Sequence, residues 1–239
     1  MIPNTPGKDR SGDDMSVPEP MLRRSPIHHL LAARRPEWGT ICKMQIAVRF
    51  QATELERDAM STLAVCDASG LLKLGIKGGE AESLLGDEVV PMPAGIYETA
   101  TLTDGGLIAR LGADEFFLES GVSGETAGMM RERLSKFSGR AFAVERQEAT
   151  FMLFGSRSGE VLAQTCGLDM SAAVAERYLA TRVAAVNCGV LPSHRNGVPL
   201  YRFWVDYSFA ESLWDSLATI CDELGGSIIG VGCVWPEQF

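Results

Sequence analysis

The chain is short of histidine, with three in 239 residues: His28, His29 and His194. His28 and His29 are adjacent, and neighbouring positions on a helix point about 100° apart, so they make a poor metal pair. His194 lies in a polar stretch, PSHRNGVP, that reads as a hairpin turn with a solvated histidine. A Ser-His-Asp arrangement therefore has almost nothing to draw on. The six cysteines, Cys42, Cys66, Cys166, Cys188, Cys221 and Cys233, contain no C-x-x-C pair and no zinc-like spacing to histidine, and they read as reduced thiols. The phosphate-binding fingerprints G-x-x-x-x-G-K-[ST] and G-x-G-x-x-G are also missing. Lys77-Gly78-Gly79 is an ordinary turn or, less simply, an anion cradle at a helix start. Gly155-Ser156-Arg157-Ser158-Gly159 lacks the central serine of a nucleophile elbow.

Basic charge is scarce as well. Lys and Arg number 22 against 31 Asp and Glu, a net charge of −9, which opposes nucleic acid as a partner. No 18-residue apolar run is present to cross a membrane, and no basic segment followed by a short apolar run marks a secretory signal, so a cytoplasmic chain is expected. Proline is unevenly spread: six of eleven fall within residues 1–40. Residues 1–20 have almost no apolar periodicity and read as a disordered tail, with Met1, Met15 or Met21 as the start. Residues 21–43 read as an arm. There Pro26 opens a short helix that carries Ile27, Leu30 and Leu31 on one face, with Arg23, Arg24 and Ser25 ahead of it. That face either folds back on the chain's own core or docks on a partner.

What is present is enough for a core: 46% hydrophobic and 22% charged residues, close to ordinary globular usage. Short apolar runs at 44–50, 61–67 and 71–76 read as strands, followed by a helix that Gly86 ends. A meander follows, with strands 96–103, 107–111 and 115–119 and a hairpin turn at Asp104-Gly105-Gly106. Ala127, Met130, Leu134 and Phe137 predict a helix over 124–137. The second half repeats the grammar: strand 149–154, helix 157–165, then strands near 180–187, 189–194 and 200–206. Ser208 to Glu211 has the form of a capping box, opening a helix with Phe209, Leu213, Trp214, Leu217, Ile220, Cys221 and Leu224 as its core stripe. Gly225-Gly226 ends it, and 227–233 is expected to be a closing strand. The fold class is α+β, with mostly antiparallel sheets, packed helices and a flexible N-terminal arm. Its body, 44–239, is expected to form two similar lobes, about 44–145 and 146–239.

Four segments, in order, carry a family resemblance: LAVCDASGLLKLGIKGGEAESLL, TATLTDGGLIARLGADEFFLES, ATFMLFGSRSGEVLAQTCGLDMS and LYRFWVDYSFAESLWDSL. They resemble the glycine-cleavage aminomethyltransferase (T-protein) superfamily over about residues 44–239. The resemblance implies a two-lobed T-protein-like fold. Two departures stand out. Folate-using members place an aspartate shortly after the glycine pair, but Gly105-Gly106 is followed by Leu107, Ile108, Ala109 and Arg110. Their pterin-binding glutamate corresponds to Arg202, counting back from Leu213-Trp214-Asp215, and a cation cannot accept from the pterin N–H donors. The chain also lacks the family's additional C-terminal barrel.

A short member without those acids, preceded by Arg24-Ser25-Pro26-Ile27, resembles the gamma subunit of heterotetrameric sarcosine oxidase and its relative in N-methylglutamate dehydrogenase. By that resemblance the chain is structural and holds no cofactor. Catalytic and metal residues are absent from it, the folate positions near Gly105, Gly106 and Arg202 are degenerate, and residues 23–27 with Leu30 and Leu31 dock on partners. FAD, FMN, NAD, folate and zinc would lie in larger partner subunits of a hetero-oligomer, without nucleic acid or membrane. Two other readings stay open: a stand-alone folate-dependent transferase using Asp67 or Asp104 as its acid, and a folate-binding accessory protein whose reactive cysteine would have to come from Asn187-Cys188-Gly189.

Overall fold

The computed structural model of the protein describes residues 22–87 and 90–239. The expected tail at 1–20 lies outside the described residues. The first elements are β1 (Arg23–Arg24), α1 (His28–Ala32), β2 (Glu37–Ile41), β3 (Met44–Arg49), α2 (Thr53–Thr62) and β4 (Ala64–Asp67). Next come β5 (Lys73–Lys77), α3 (Ala81–Asp87), β6 (Thr99–Thr101), β7 (Leu107–Arg110), β8 (Glu115–Glu119), α4 (Glu125–Lys136) and β9 (Phe142–Glu145). The second half contributes β10 (Ala149–Phe154), α5 (Ser158–Thr165), β11 (Leu179–Val183), β12 (Val186–Arg195), β13 (Val198–Val205), α6 (Ala210–Glu223), β14 (Ser227–Ile229) and α7 (Val231–Val234).

Three sheets form: β1-β3-β2, a six-stranded β11-β12-β13-β10-β4-β14, and a five-stranded β6-β7-β8-β5-β9. Among the described residues only the β1–β3 and β14–β4 pairs are parallel, so the expected α+β class with mostly antiparallel sheets holds. β4 precedes the whole five-stranded sheet in sequence, yet it pairs with β10 of the six-stranded one. All six residues of β10 are buried because both its faces are covered. Phe151 and Leu153 pack with Leu213, Trp214 and Leu217 of α6, while Met152 and Phe154 pack with Ile46, Val48 and Val234. The five-stranded sheet is covered by α3 and α4, through Leu84, Leu85, Met130 and Leu134 against Leu74, Ile76 and Phe116.

Several local expectations need correction. Residues 53–62 form helix α2, where no helix is expected and the strand is drawn from 61; its sequence, TELERDAMST, is mostly polar, sets only Ala59 and Met60 against the core and buries only Glu56 fully. That carboxylate explains the helix. Glu56 accepts from the Phe50 and Gln51 amides and, across 174 residues of sequence, from Gly230 N at 3.0 Å. The capping box also fails: Asp206, not Ser208, caps the short 3-10 turn leading into α6, accepting from Ser208 N at 2.9 Å. Phe209 is consequently 55% exposed rather than core. The far end of α6 is as read: Gly225 takes φ +75°, and the Gly226 and Gly225 amides bond Cys221 O and Asp222 O, a Schellman closure. The expected strand 227–233 stops at Ile229, and 231–234 turn helical.

The arm is part of the body. β1 and β2 flank β3, and Ile27 and Leu31 are fully buried beside Trp214 and Leu217. Of the two roles open to that apolar face, the structure places it on the chain's own core.

Candidate functional site

The two large sheets meet face to face. Strand alternation sends Phe116 and Leu118 of β8 toward α3 and α4, and Phe117 and Glu119 toward the other sheet. There Leu107, Ala109 and Phe117 pack on Leu191 and Trp204, with the Phe117 and Trp204 rings edge to face at 5.2 Å. Beside this apolar patch the interface buries charge. Glu119, fully inaccessible, accepts from Thr150 Oγ1 at 2.6 Å, Trp204 Nε1 at 2.7 Å and Arg202 Nη1 at 2.9 Å. Its cross-strand neighbour Lys73, 4% exposed, brings Nζ to 3.8 Å and donates to Leu71 O at 2.8 Å. One carboxylate thus ties β8 to β10 and β13 and stands between a buried ammonium, Lys73, and a half-buried guanidinium, Arg202. Burial lowers the Lys73 pKa, against the opposing pull of Glu119 and Asp67.

Asp67, buried at the end of β4, accepts from Ser69 N at 3.0 Å and Ser69 Oγ at 2.5 Å. Burial raises its pKa, and the nearby Ser25 hydroxyl and the bonds from Ser69 only partly offset that. Its other oxygen, Oδ2, has no protein partner among the described residues. Ser69 Oγ in turn accepts from Thr150 N at 3.2 Å, so the Asp67-Ala68-Ser69 run stitches β4 to β10. Asp104 is likewise spent on structure. It accepts from Gly106 N at 3.0 Å and from Thr126 N at 3.1 Å, capping α4, whose own N-cap is Gly124. Burial works against its charge, but the amide bonds win and hold its pKa below the usual carboxylate value. Gly106 is required where it sits, because a Cβ there would come within 2.2 Å of Glu119 O.

The remaining sequence candidates scatter. Gly105 and Gly106 lie in the β6–β7 hairpin and Arg202 in the ion cluster, whereas Arg23 and Arg24 are exposed on β1. Ser25 is buried beside Asp67, Pro26 half-buried and Leu30 packed at the core's margin. Lys77 pairs with Glu115 at 2.9 Å. His194 is exposed in β12, not in the turn, which is the two-residue Asn196-Gly197 with both φ positive. Burial pushes the Cys188 thiol up to about 12, which keeps it protonated and a poor nucleophile. No group of three His, Cys, Asp or Glu suited to a metal ion occurs among the described residues. Lys73 and Glu119 went unnoticed in sequence because each sits at a strand end, where charge normally meets water; the signal was that Glu119 shares its face with Phe117.

Two cavities flank the cluster, both bordered by Arg146 and Glu148. One, about 490 Å³, is walled by Phe117, Tyr178, Cys188 and Trp204, with the Tyr178 and Trp204 rings stacked at 5.7 Å. The other, about 370 Å³, lies under β1.

No family model and no curated protein matches the chain. Solved structures do. Glycine cleavage system aminomethyltransferase T from Bartonella henselae superposes with a TM-score of 0.73 at 14% identity, over 89% of this chain and 61% of that one. This is a T-protein-like fold. The chain spans less than two thirds of that aminomethyltransferase. A chain of heterotetrameric sarcosine oxidase from Corynebacterium sp. U-96, solved in complex with pyrrole 2-carboxylate, superposes with a TM-score of 0.62 at 18% identity, over 85% of this chain and 97% of that one. The T-protein-like fold is therefore matched nearly end to end by a chain of about this length. No described helix is long and apolar enough to cross a membrane.

Proposed function

We infer that the chain is a non-catalytic, gamma-type subunit of a multisubunit flavin- and folate-dependent N-methyl amine oxidoreductase of the sarcosine oxidase kind, working in the cytoplasm. The observation that carries this reading is Arg202. Where the folate-using pattern has a carboxylate, this chain has a guanidinium bonded to the buried Glu119. The hairpin after Gly106 supports it, because Leu107 and Ala109 are committed to the packing between the sheets and offer no acid. These residues do not fit a folate pterin. Asp67 and Asp104, the acids a stand-alone transferase would need, are both engaged in holding backbone amides.

On this reading FAD, FMN, NAD, folate and zinc belong to larger partner subunits, and this chain contributes a rigid body against which they assemble. Of the expected docking residues, Arg23 and Arg24 are the exposed ones left for partner contact, since Ile27 and Leu31 are already inside.

The test is purification of the chain from its native source, followed by folate titration of the isolated chain. Recovery with a large yellow subunit, and no folate affinity in the separated chain, is the expected result. Tight folate binding, or recovery as a lone 25.8 kDa species, overturns the reading.

A further inference from the structure

The cavity under β1 has a charge balance unlike the rest of the molecule. The protein carries a net charge of −9, yet Arg23, Arg24, Lys73, Arg131 and Arg146 line this cavity against only Glu145 and Glu148. The pairs inside it can be struck off one by one. Arg131 holds Glu145 through two bonds, 2.9 and 3.1 Å, and Arg146 holds Glu148 at 2.9 Å. Lys73 answers to Glu119. Arg23 and Arg24 are left, with no ion pair to either guanidinium among the described residues. Arg23 bears on the interior of the site: its charge helps to depress the Lys73 ammonium and to hold the Glu145 carboxyl low. Met44, Leu71 and Leu72 supply an apolar wall. The volume, about 370 Å³, lies near the lower end of the range of roughly 300–1,000 Å³ usual for small-molecule sites.

We propose that this cavity binds a small organic dianion, a phosphate monoester or a dicarboxylate, whose charge is taken by Arg23 and Arg24 and whose carbon body lies against Met44, Leu71 and Leu72. Two unspent guanidinium groups call for two negative charges, and their planar forks suit carboxylate and phosphate oxygens equally. The acidic exterior repels anions generally, which concentrates their binding here. This goes beyond the subunit reading and does not depend on it: the isolated chain is the species titrated, so Arg23 and Arg24 are tested free of any partner that would also contact them.

The experiment is calorimetric titration of the full chain at low ionic strength with phenyl phosphate and, separately, glutarate; whichever binds more tightly identifies the anion type. At least one is expected to saturate with a Kd below about 1 mM. The Arg23→Ala/Arg24→Ala double variant, both positions being exposed, should keep the wild-type melting temperature and bind about tenfold more weakly or worse. Lys136→Ala, outside the cavity, should bind as wild type. If neither probe binds the wild-type chain at about 10 mM, or the double variant binds as tightly as wild type, the proposal is wrong.

Discussion

Replacing Glu119 by glutamine removes one charge and little volume, which makes it the sharpest probe of the interface between the sheets. The wild-type carboxylate accepts three hydrogen bonds and stands 3.8 Å from the Lys73 ammonium. Glutamine keeps one carbonyl acceptor and presents an amide donor in place of the other oxygen. Thr150 can reverse its hydroxyl and accept, but Trp204 Nε1 and the Arg202 guanidinium only donate, so at least one of them is left poorly satisfied. The larger cost is electrostatic, because Lys73 and Arg202 lose the charge between them. Breaking one side of a buried pair costs about 3–5 kcal/mol. For a chain of this size, at about 2–4 °C per kcal/mol, the melting temperature should fall by roughly 6–20 °C. Urea denaturation at pH 7 measures the loss directly, and an unchanged slope against denaturant would show that the unfolded state is not responsible. A loss below about 1 kcal/mol would mean that the cluster is hydrated and the sheets are held by packing alone. Glu119→Leu combined with Lys73→Met should recover part of the loss, since apolar replacement of a whole buried pair is often neutral or better and the partly exposed Arg202 can turn to water.

Asp104→Asn weakens the cap on α4 and should cost about 1 kcal/mol at neutral pH. Asp104 has a folded pKa below its ordinary 3.8, so its contribution is present above that value and lost as pH falls through the lower, folded one. Acid titration of stability should therefore be flatter below about pH 4 in the variant than in the wild type, and parallel curves would exclude the cap. Leu31→Ala should destabilise the chain by about 2–5 kcal/mol in thermal or chemical melts, as a core truncation does; a change under about 0.5 kcal/mol, ordinary for a surface site, would return α1 to the role of a docking arm.

Where the sequence pattern was strong, the fold was legible. β8 and β10 lie on the residues their alternation or apolar run indicates, and α4 begins and ends within one residue of the predicted span 124–137. It failed where tertiary contacts outweigh local pattern. α2 is held by a buried carboxylate reaching Gly230, which no window of a dozen residues contains. β9 is an almost wholly exposed edge strand whose Phe142 stays in solvent, so alternation had no core face to reveal. At the start of α6 two capping side chains, Asp206 and Ser208, compete within three residues, and the carboxylate wins. The site was half legible. Arg202 drew attention as a cation in a carboxylate's place, but its partner Glu119 lies 83 positions away and on another sheet, a pairing that only the fold creates.

The position of β4 has a consequence for how the molecule is made. As the chain leaves the ribosome, residues 64–67 emerge early, but one edge of this strand must wait for β10 and the other for β14, at residues 227–229. Synthesis has to continue from residue 67 to residues 227–229 before the strand is flanked on both sides. Such long-range closure slows folding and leaves an apolar edge bare in the meantime. A nascent chain stalled before β14 should accordingly be the species that chaperones hold and that aggregates.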